Sequence, residues 1–351
     1  MVIMSKRTDG WGFVMQKHNG VTIKDIALKA GVSYSTVSRV LSGKISAKGA
    51  SAEAVLKATK ELNYKPNMNA RGLKGQSTMT IALMMPEIDS LYYSFLIRNV
   101  EKYASREGYT ILFYNSRGNM ELEKKTLNEM AMRSVDGVLC MSVSEEVDHI
   151  VEARNQYNVP IVMLNRYLSQ EFCNISVDNT YGGFLLTEYL LNMGHEKIAV
   201  VMGDYNMQFN KDRLKGYRQA LEKNDLPYRE EYVAGNSHLL KEAYNSVIRF
   251  FSGKDNPTAI FIFAEEMVLG VYRALHELGL RVPEDVSVVG FDDLYTAEYM
   301  IPPLTTYDSG IGEMAKLGVE NLIQEIETKE SGESVKLRGG IIYRSSVAEC
   351  R

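Results

Sequence analysis

The stretch TIKDIALKAGVSYSTVSRVLSG, Thr22 to Gly43, contains two segments whose apolar residues recur at helical spacing. In the first segment, Ile23 is followed by apolar residues at i+3, i+4 and i+7, which line one face of a helix. In the second, valines and a leucine at positions 37, 40 and 41 form a similar stripe. Thr22 and Ser33 precede the two stripes and are of the residue types that cap helices. The pattern predicts two short helices joined by a turn at residues 30–32.

The outer face of the second predicted helix carries hydroxyl groups and one arginine. A helix that only had to remain in solution would more often carry Glu and Lys there. Short hydroxyls and an arginine, with a tyrosine beside them, suit close approach to a polar and negatively charged surface. The side chains concerned are Tyr34, Ser35, Ser38, Arg39 and Ser42.

The charge of the chain is divided unevenly along its length. Residues 21–75 contain ten Lys and Arg against three Asp and Glu, an excess of seven positive charges, and residues 1–20 carry two more. Because the whole chain of 351 residues has a net charge of −4, residues 76–351 carry −13. A small basic segment joined to an acidic body is typical of a polyanion-binding module attached to a second domain.

The cysteines and the amino terminus indicate the cellular compartment. Three cysteines are odd in number, widely spaced and without a CxxC pair, so they indicate neither a disulfide framework nor a metal site. Residues 1–20 contain no apolar run of signal-peptide length, and no segment has membrane-spanning length. We expect a cytosolic protein without a membrane partner. We interpret residues 1–20 as a disordered extension or an upstream translation start.

The remainder of the chain divides into three parts. Residues 51–63 predict a third helix, which completes a small all-α domain over residues 21–66. The segment NMNARGLKG, within a linker at 67–79, spans only about two helical turns and should be helical only against a partner. From residue 80 onward, apolar strand-like runs alternate with amphipathic segments, and the alternation restarts near residue 196. This pattern predicts an α/β core of doubly wound parallel sheets in two similar subdomains with a ligand cleft between them.

These motifs together resemble the lactose-repressor/galactose-repressor family of bacterial transcription regulators. VTIKDIALKAGVSYSTVSRVLSG resembles the helix-turn-helix of that family, NYKPNMNARGLKG its hinge, and residues 80–350 its periplasmic-binding-protein-like core. Matching core motifs include SVDN, MGHEKIAVVMG, DRLKGYRQAL, LRVPEDVSVVGFDD and IPPLTTYD. The resemblance implies core subdomains of about 80–178 with 308–336 and about 179–307 with 337–351. It also implies a homodimer on a pseudo-palindromic operator, with repression as the default.

The resemblance assigns DNA contacts to the first 75 residues. Arg39 could bind a guanine edge or a phosphate, and Tyr34 could instead pack on the first helix. Leu73 stands where the family inserts a leucine into the minor groove, although a packing role is the alternative. The implied contact set is Thr22, Ser33, Tyr34, Ser35, Ser38, Arg39, Asn67, Ala70 and Leu73. Ala50 and Ala52 depart from the family because polar side chains often meet phosphates there.

The resemblance places an effector site in the core. An arginine and a carboxylate facing one cleft suit a polyhydroxylated ligand, because sugar hydroxyls both donate and accept hydrogen bonds. The implied set is Tyr92, Tyr93, Asn165, Arg213, Phe263, Glu265 and Asp292. Tyr92 could equally be an ordinary helix-start aromatic. Ala264–Glu265 replaces the Asn-Asp of sugar-binding relatives, so we expect a sugar or sugar derivative other than a common hexose. A nucleobase or a phosphorylated metabolite is the alternative.

The sequence lacks the features of two other classes of protein, enzymes and solute-binding proteins. An enzyme is not indicated, because the sequence has no glycine-rich phosphate loop, HExxH helix, nucleophile elbow or Cys/His pair. We therefore predict no catalytic residue and no cofactor. A solute-binding protein would share the core but would carry a secretion signal and no basic head. No leucine-heptad tail follows RSSVAECR, which favours a dimer over a tetramer. Whether the effector releases DNA or tightens its binding stays open.

Overall fold

The computed structural model describes residues 2–7, 10–15, 21–41, 49–64, 77–133, 135–142, 146–166 and 170–350. It divides into an amino-terminal unit, Met1–Gly75, and a carboxyl-terminal unit, Gln76–Arg351. The described helices are α1 Ile23–Ala30, α2 Tyr34–Leu41, α3 Ala50–Glu61, α4 Leu91–Arg106, α5 Met120–Met132, α6 Asp148–Tyr157, α7 Asn179–Asn192, α8 Gln208–Lys223, α9 Leu240–Phe250, α10 Val268–Glu277 and α11 Ile311–Thr328. The described strands are β1 Val2–Arg7, β2 Gly10–Met15, β3 Thr80–Met85, β4 Thr110–Asn115, β5 Gly137–Cys140, β6 Ile161–Leu164, β7 Cys173–Val177, β8 Ile198–Val201, β9 Val233–Ala234, β10 Ala259–Ile262, β11 Ser287–Phe291, β12 Thr305–Asp308, β13 Val335–Leu337 and β14 Gly340–Ile342.

The first fifteen residues contain two strands where the sequence was interpreted as a disordered extension. β1 and β2 pair antiparallel, from Val2 opposite Met15 to Arg7 opposite Gly10. The interpretation missed two runs rich in β-forming residues, which are separated in the sequence by only residues 8 and 9. Two strand-like runs that lie two residues apart are a sequence signal for a hairpin.

Helices α1, α2 and α3 form the predicted helical domain around a small apolar core. Ile26, Val37 and Val55 are fully buried there, and smaller side chains from α3 complete the cluster. Gly31 ends α1 with a φ of 65°, and its N–H bonds the carbonyl oxygen of Leu28. A glycine in the left-handed conformation ends a helix without steric cost, which allows α2 to begin three residues later.

The carboxyl-terminal unit contains two six-stranded sheets, as the alternating pattern predicted. One sheet has the order β13-β7-β6-β5-β3-β4 and is parallel throughout. The other has the order β14-β12-β11-β10-β8-β9 and is parallel except for β14. The central strands are buried on both faces, since helices cover each side of a doubly wound sheet.

Each sheet forms the centre of one lobe. The first lobe contains α4–α6 and α11, and the second contains α7–α10. The chain crosses between the lobes three times, and Arg338 donates to Asp178 across two of these crossings at 2.9 Å. Asp308 belongs to β12 of the second lobe and Leu337 to β13 of the first. The resemblance had assigned each of these two residues to the opposite lobe.

No helix among the described residues is long and apolar enough to cross a membrane. The same part of the chain contains no group of three or more His, Cys, Asp or Glu side chains arranged to hold a metal ion.

Candidate functional sites

The start of α2 is held by a cluster of hydroxyl groups. Ser33 Oγ accepts the backbone N–H of Thr36 at 3.2 Å, which is the predicted helix cap. The same oxygen lies 2.8 Å from the hydroxyls of Ser35 and Thr36. Because its capping bond and these contacts fix Ser33, the first turn of α2 presents an ordered row of hydroxyls.

The remaining α2 residues of the predicted DNA surface lie on its outer side. Tyr34 is 41% exposed and lines a shallow surface depression together with Leu28 of α1 and Val32. Arg39 is exposed and Ser38 is half-buried on the side opposite the buried Val37. The outer face is therefore available to a partner with complementary charge.

Thr22 caps α1 together with an acidic residue. Its N–H and its hydroxyl each donate to one carboxylate oxygen of Asp25 at 2.7 Å. These hydrogen bonds, the backbone one first, lower the pKa of Asp25. The hydroxyl proton of Thr22 is thus used within the chain, and only its lone pairs remain for another partner.

The remaining expectations for this unit concern Ala52 and the predicted hinge residues. Ala52 was placed where phosphate contacts are common, but it is 3% exposed and packs in the helical core. Ala52 therefore packs inside the helical domain rather than at the surface where the resemblance implies phosphate contacts. The predicted hinge residues Asn67, Ala70 and Leu73, like Ser42 of the α2 face, lie outside the described residues.

A cleft lies in the carboxyl-terminal unit between the ends of strands from both lobes. The first lobe contributes Tyr92 and Tyr93 from α4, with Asn165 from the end of β6. The second lobe contributes Arg213, Asp292 and residues that follow β10. Six of the seven predicted effector residues line this cleft, which lies at the carboxyl ends of the strands as doubly wound folds place their ligands.

Arg213 is the central cation of the cleft and is 3% exposed. Its Nε donates to Asn179 at 2.9 Å, one terminal nitrogen donates to the carbonyl oxygen of Phe263, and the other lies 3.3 Å from Asp292 Oδ1. Its guanidinium carbon also stacks 3.6 Å from the centre of the Phe291 ring. Burial lowers the pKa of Arg213, and Asp292 opposes this effect.

Close helix packing positions this arginine. Arg213 lies on α8. α7 crosses α8 at Gly183, where a β-carbon would lie 2.3 Å from the carbonyl oxygen of Arg213. A larger side chain at position 183 would push α8 away, so glycine is required for the observed approach.

Two carboxyl groups in the cleft are buried and differ in their partners. Asp292 is 6% exposed, and burial raises its pKa although the charge of Arg213 acts in the opposite direction. Glu265 is 1% exposed, and burial raises its pKa to about 8. Its oxygens accept the N–H of Leu294 at 2.7 Å and the hydroxyl of Thr296 at 2.9 Å. Glu265 therefore binds a neighbouring loop as well as lining the cleft.

The predicted cleft residues Phe263 and Tyr92 are placed differently in the structure. Phe263 does not line the cleft, because its side chain is fully buried and packs edge-on against Phe261 with ring centres 4.7 Å apart. It contributes only its backbone carbonyl, to Arg213. Tyr92 and Tyr93 meet edge to face at 5.3 Å, and the Tyr92 hydroxyl is buried without a hydrogen-bond partner among the described residues.

The cleft contains further residues that the sequence patterns did not predict. Phe209 stacks on His238 with ring centres 6.1 Å apart, and Glu87 and Glu266 line the cleft from opposite lobes. Burial raises the pKa of Glu87, and the charge of Glu266 adds to this effect. Isolated residues after strand ends carry little signal of their own. In the sequence, only their common position after buried strands indicates that they belong to the cleft.

Comparisons with known proteins agree with this architecture. A model of bacterial regulatory proteins of the lacI family matches residues 22–67, and one of a periplasmic binding protein-like domain matches residues 187–347. The HTH-type transcriptional repressor PurR of Vibrio vulnificus (strain CMCP6) is 34% identical over 330 residues, which cover 93% of this chain and 98% of the relative. A solved lac repressor dimer bound to operator and the anti-inducer ONPF is 25% identical with a TM-score of 0.83, covering 94% of this chain and 100% of that one. The transcriptional regulator CelR in complex with cellobiose is 28% identical with a TM-score of 0.70, covering 93% and 99%.

Proposed function

We propose that this chain, which belongs to the lacI family of bacterial regulatory proteins and is a DNA-binding transcriptional repressor, is controlled by an uncharged polyhydroxylated ligand, a sugar or sugar derivative, in its cleft. The observation that carries the proposal is the grouping of the Arg213–Asp292 pair with the unpartnered hydroxyl of Tyr92. A sugar ring offers neighbouring hydroxyls that donate to a carboxylate and accept from a guanidinium or a phenol.

The aromatic side chains of the cleft support a ring-shaped ligand. Tyr93 and Phe209 lie on opposite lobes, and both line the cleft. Aromatic faces pack against the apolar C–H faces of a sugar as well as against a flat base. The relative CelR was solved with cellobiose, which adds support for a carbohydrate.

The charges of the cleft argue against a phosphorylated metabolite. Its lining contains the carboxyl groups of Glu87, Glu265, Glu266 and Asp292, whereas Arg213 is already bonded to three groups within the chain. An added anion would be repelled by every one of these carboxyl groups that is ionised, and in a partly buried site such repulsion is strong. The ligand should therefore be uncharged, or it should offer more hydrogen-bond donors than acceptors.

An exposed apolar surface on the second lobe supports dimerisation. Leu240, Leu269, Tyr299 and Ile301 are between 47% and 91% exposed, and we call these four residues the apolar face. They lie on neighbouring segments of the lobe, because Gly270 on α10 approaches the Leu240 carbonyl and Tyr272 on α10 donates to the Pro302 carbonyl at 3.1 Å. A second copy of this chain would cover the face, as the solved lac repressor relative is a dimer.

The dimer would place two α2 helices on two half-sites of a pseudo-palindromic operator. Tyr34, Ser35 and Arg39 are the side chains we expect at base edges, with Ser33, Ser38 and Thr22 at the sugar-phosphate backbone. The basic excess of residues 21–75 favours phosphate contacts and a steep dependence of affinity on salt concentration.

A ligand panel tests the proposal by thermal unfolding of the full chain. The panel contains cellobiose, glucose, ribose, adenine, hypoxanthine and glucose 6-phosphate, each at several concentrations. A ligand at 100 times its Kd should stabilise the folded state by about 2.7 kcal/mol. We expect stabilisation by a neutral sugar that is lost in Asp292→Asn. Stabilisation only by the phosphate ester or a nucleobase would reject the sugar assignment. The dimer is tested separately, because operator binding by monomers would reject it.

A further inference from the structure

The loop that follows β11 connects the cleft to the apolar face. It begins at Asp292, which lines the cleft, and reaches Tyr299 and Ile301, which are 77% and 91% exposed. Leu304 N–H donates to the Ala297 carbonyl at 2.9 Å and closes the loop on itself. Residues 292–304 therefore form one compact connection between two surfaces to which we assigned different partners.

The backbone at the start of this loop is held in an unusual conformation. Asp292 has a φ of 95° and Asp293 a φ of 50°, so two consecutive residues with side chains lie in the region that favours glycine. Such a conformation persists only where surrounding contacts fix it. The loop is thus sensitive to the groups that hold it.

Three charged side chains hold the loop. Arg213 contacts Asp292 at 3.3 Å, and Arg344 donates to Asp293 and to the Leu304 carbonyl, both at 2.8 Å. Glu265 accepts the Leu294 N–H and the Thr296 hydroxyl. Arg213 and Glu265 also line the cleft, whereas Arg344 does not. Two of the three residues that fix the loop therefore also border the space in which a ligand would lie.

We propose that Glu265 is a positioning residue that transmits occupancy of the cleft to the apolar face through the loop 292–304. A ligand hydroxyl that donates to Glu265 competes with the Leu294 N–H and the Thr296 hydroxyl for the same carboxyl oxygens. The loop then changes its packing, and the position of Tyr299 relative to α10 changes with it. This inference rests on the proposed ligand cleft and dimer face and adds the route between them.

The energetics of Glu265 support a role beyond packing. A buried carboxyl without a cationic partner costs stability, and its raised pKa reflects that cost. The charged groups facing it from the loop, Asp292 and Asp293, raise its pKa further. An amide side chain could accept the same two hydrogen bonds without carrying a charge, so the carboxyl group at this position costs stability whenever it is ionised.

A double-mutant cycle tests the route without requiring a known ligand. The dimer dissociation constant of the full chain is measured by sedimentation velocity for the parent, Glu265→Gln, Tyr299→Ala and the double variant. Separated residues without shared partners normally show additive effects. We expect the dimer dissociation constant of the double variant to differ at least about threefold from the value that additive single effects give, since the loop joins the two sites. The matched cycle of Glu265→Gln with Tyr228→Ala, exposed elsewhere on the lobe, should be additive.

A second pair of variants separates this role from general stability. Thr296→Val removes the hydroxyl that donates to Glu265 at nearly constant shape, and Thr296→Ser keeps it. We expect Thr296→Val to change the dimer dissociation constant as Glu265→Gln does, and Thr296→Ser to have the dimer dissociation constant of the parent. Urea unfolding of the same proteins, recorded in parallel, measures any change in general stability. An additive cycle, or equal dimer constants for Val and Ser, would overturn the route. If Tyr299→Ala leaves dimerisation unchanged, the route is rejected with the dimer face, while the ligand panel still decides the cleft assignment.

Discussion

Arg213 and Asp292 lie 3.3 Å apart at the base of the cleft, with 3% and 6% of their surfaces exposed. Removing two charges from water costs several kcal/mol per ion, and their attraction offsets this only when the remaining donors and acceptors are also bonded. The remaining contacts of Arg213 are supplied by Asn179 and the Phe263 carbonyl. The pair is therefore satisfied on the protein side before a ligand enters, and each member depends on the other.

Loss of one member of this pair should destabilise the fold more than loss of both. Asp292→Ala leaves the guanidinium of Arg213 buried without its carboxylate, and we expect the free energy of unfolding to fall by about 3–5 kcal/mol. The double variant Arg213→Met, Asp292→Leu removes both charges and should lose less. Urea unfolding of the three proteins checks this order. A double variant less stable than Asp292→Ala would contradict it.

The buried carboxyl of Glu265 should make stability depend on pH. Its pKa of about 8 in the folded chain lies above the ordinary value near 4.3, so the folded state binds the extra proton between these two limits. Stability is unaffected below about pH 4 and falls as pH rises toward 8, because the unfolded chain ionises first. Glu265→Gln should remove a loss of the order of 3–5 kcal/mol over this range. Urea unfolding from pH 5 to 8.5 measures both proteins, and parallel curves would refute the assignment to Glu265.

The helical domain and the α/β core follow directly from sequence periodicity. The stripe at residues 37, 40 and 41 faces the core because a helix repeats every 3.6 residues, and the apolar runs become strands buried on both faces. Periodicity did not decide the position of Ala52, which came from the family resemblance, and its burial follows from packing in the core of the three helices.

The cleft was less predictable than the fold. Arg213 and Asp292 came from motif resemblance, and so did Phe263, whose ring proved to be buried in the sheet. A motif identifies the residue at a position but does not show whether its side chain or its backbone carbonyl makes the contact. Phe209 and His238 were missed because they come from separate connections, and only the packed lobes bring them together.

Ser33 should stabilise the start of α2 and order its outer face. Ser33→Ala removes the acceptor of the Thr36 N–H, and loss of such a cap costs about 1 kcal/mol. Ser33→Asp restores a capping oxygen and is the matched control for stability, although its negative charge should oppose DNA binding. Thermal unfolding of the full chain, followed by helical signal, measures the first effect. If Ser33→Ala and Ser33→Asp unfold at the same temperature, the capping role is wrong.

Arg39 distinguishes base recognition from simple attraction to phosphate. It lies on the exposed face of α2, on the side opposite the buried Val37. If Arg39 binds a base edge, Arg39→Ala should lose about 1–3 kcal/mol on operator DNA and much less on unrelated DNA of equal length. Arg39→Lys keeps the charge without the planar pair of donors, so it should resemble Arg39→Ala on operator and the parent on unrelated DNA. Fluorescence anisotropy at several salt concentrations measures all three proteins on both duplexes. Equal losses on the two DNAs, with a salt dependence reduced by about one charge, would assign Arg39 to the phosphate backbone instead.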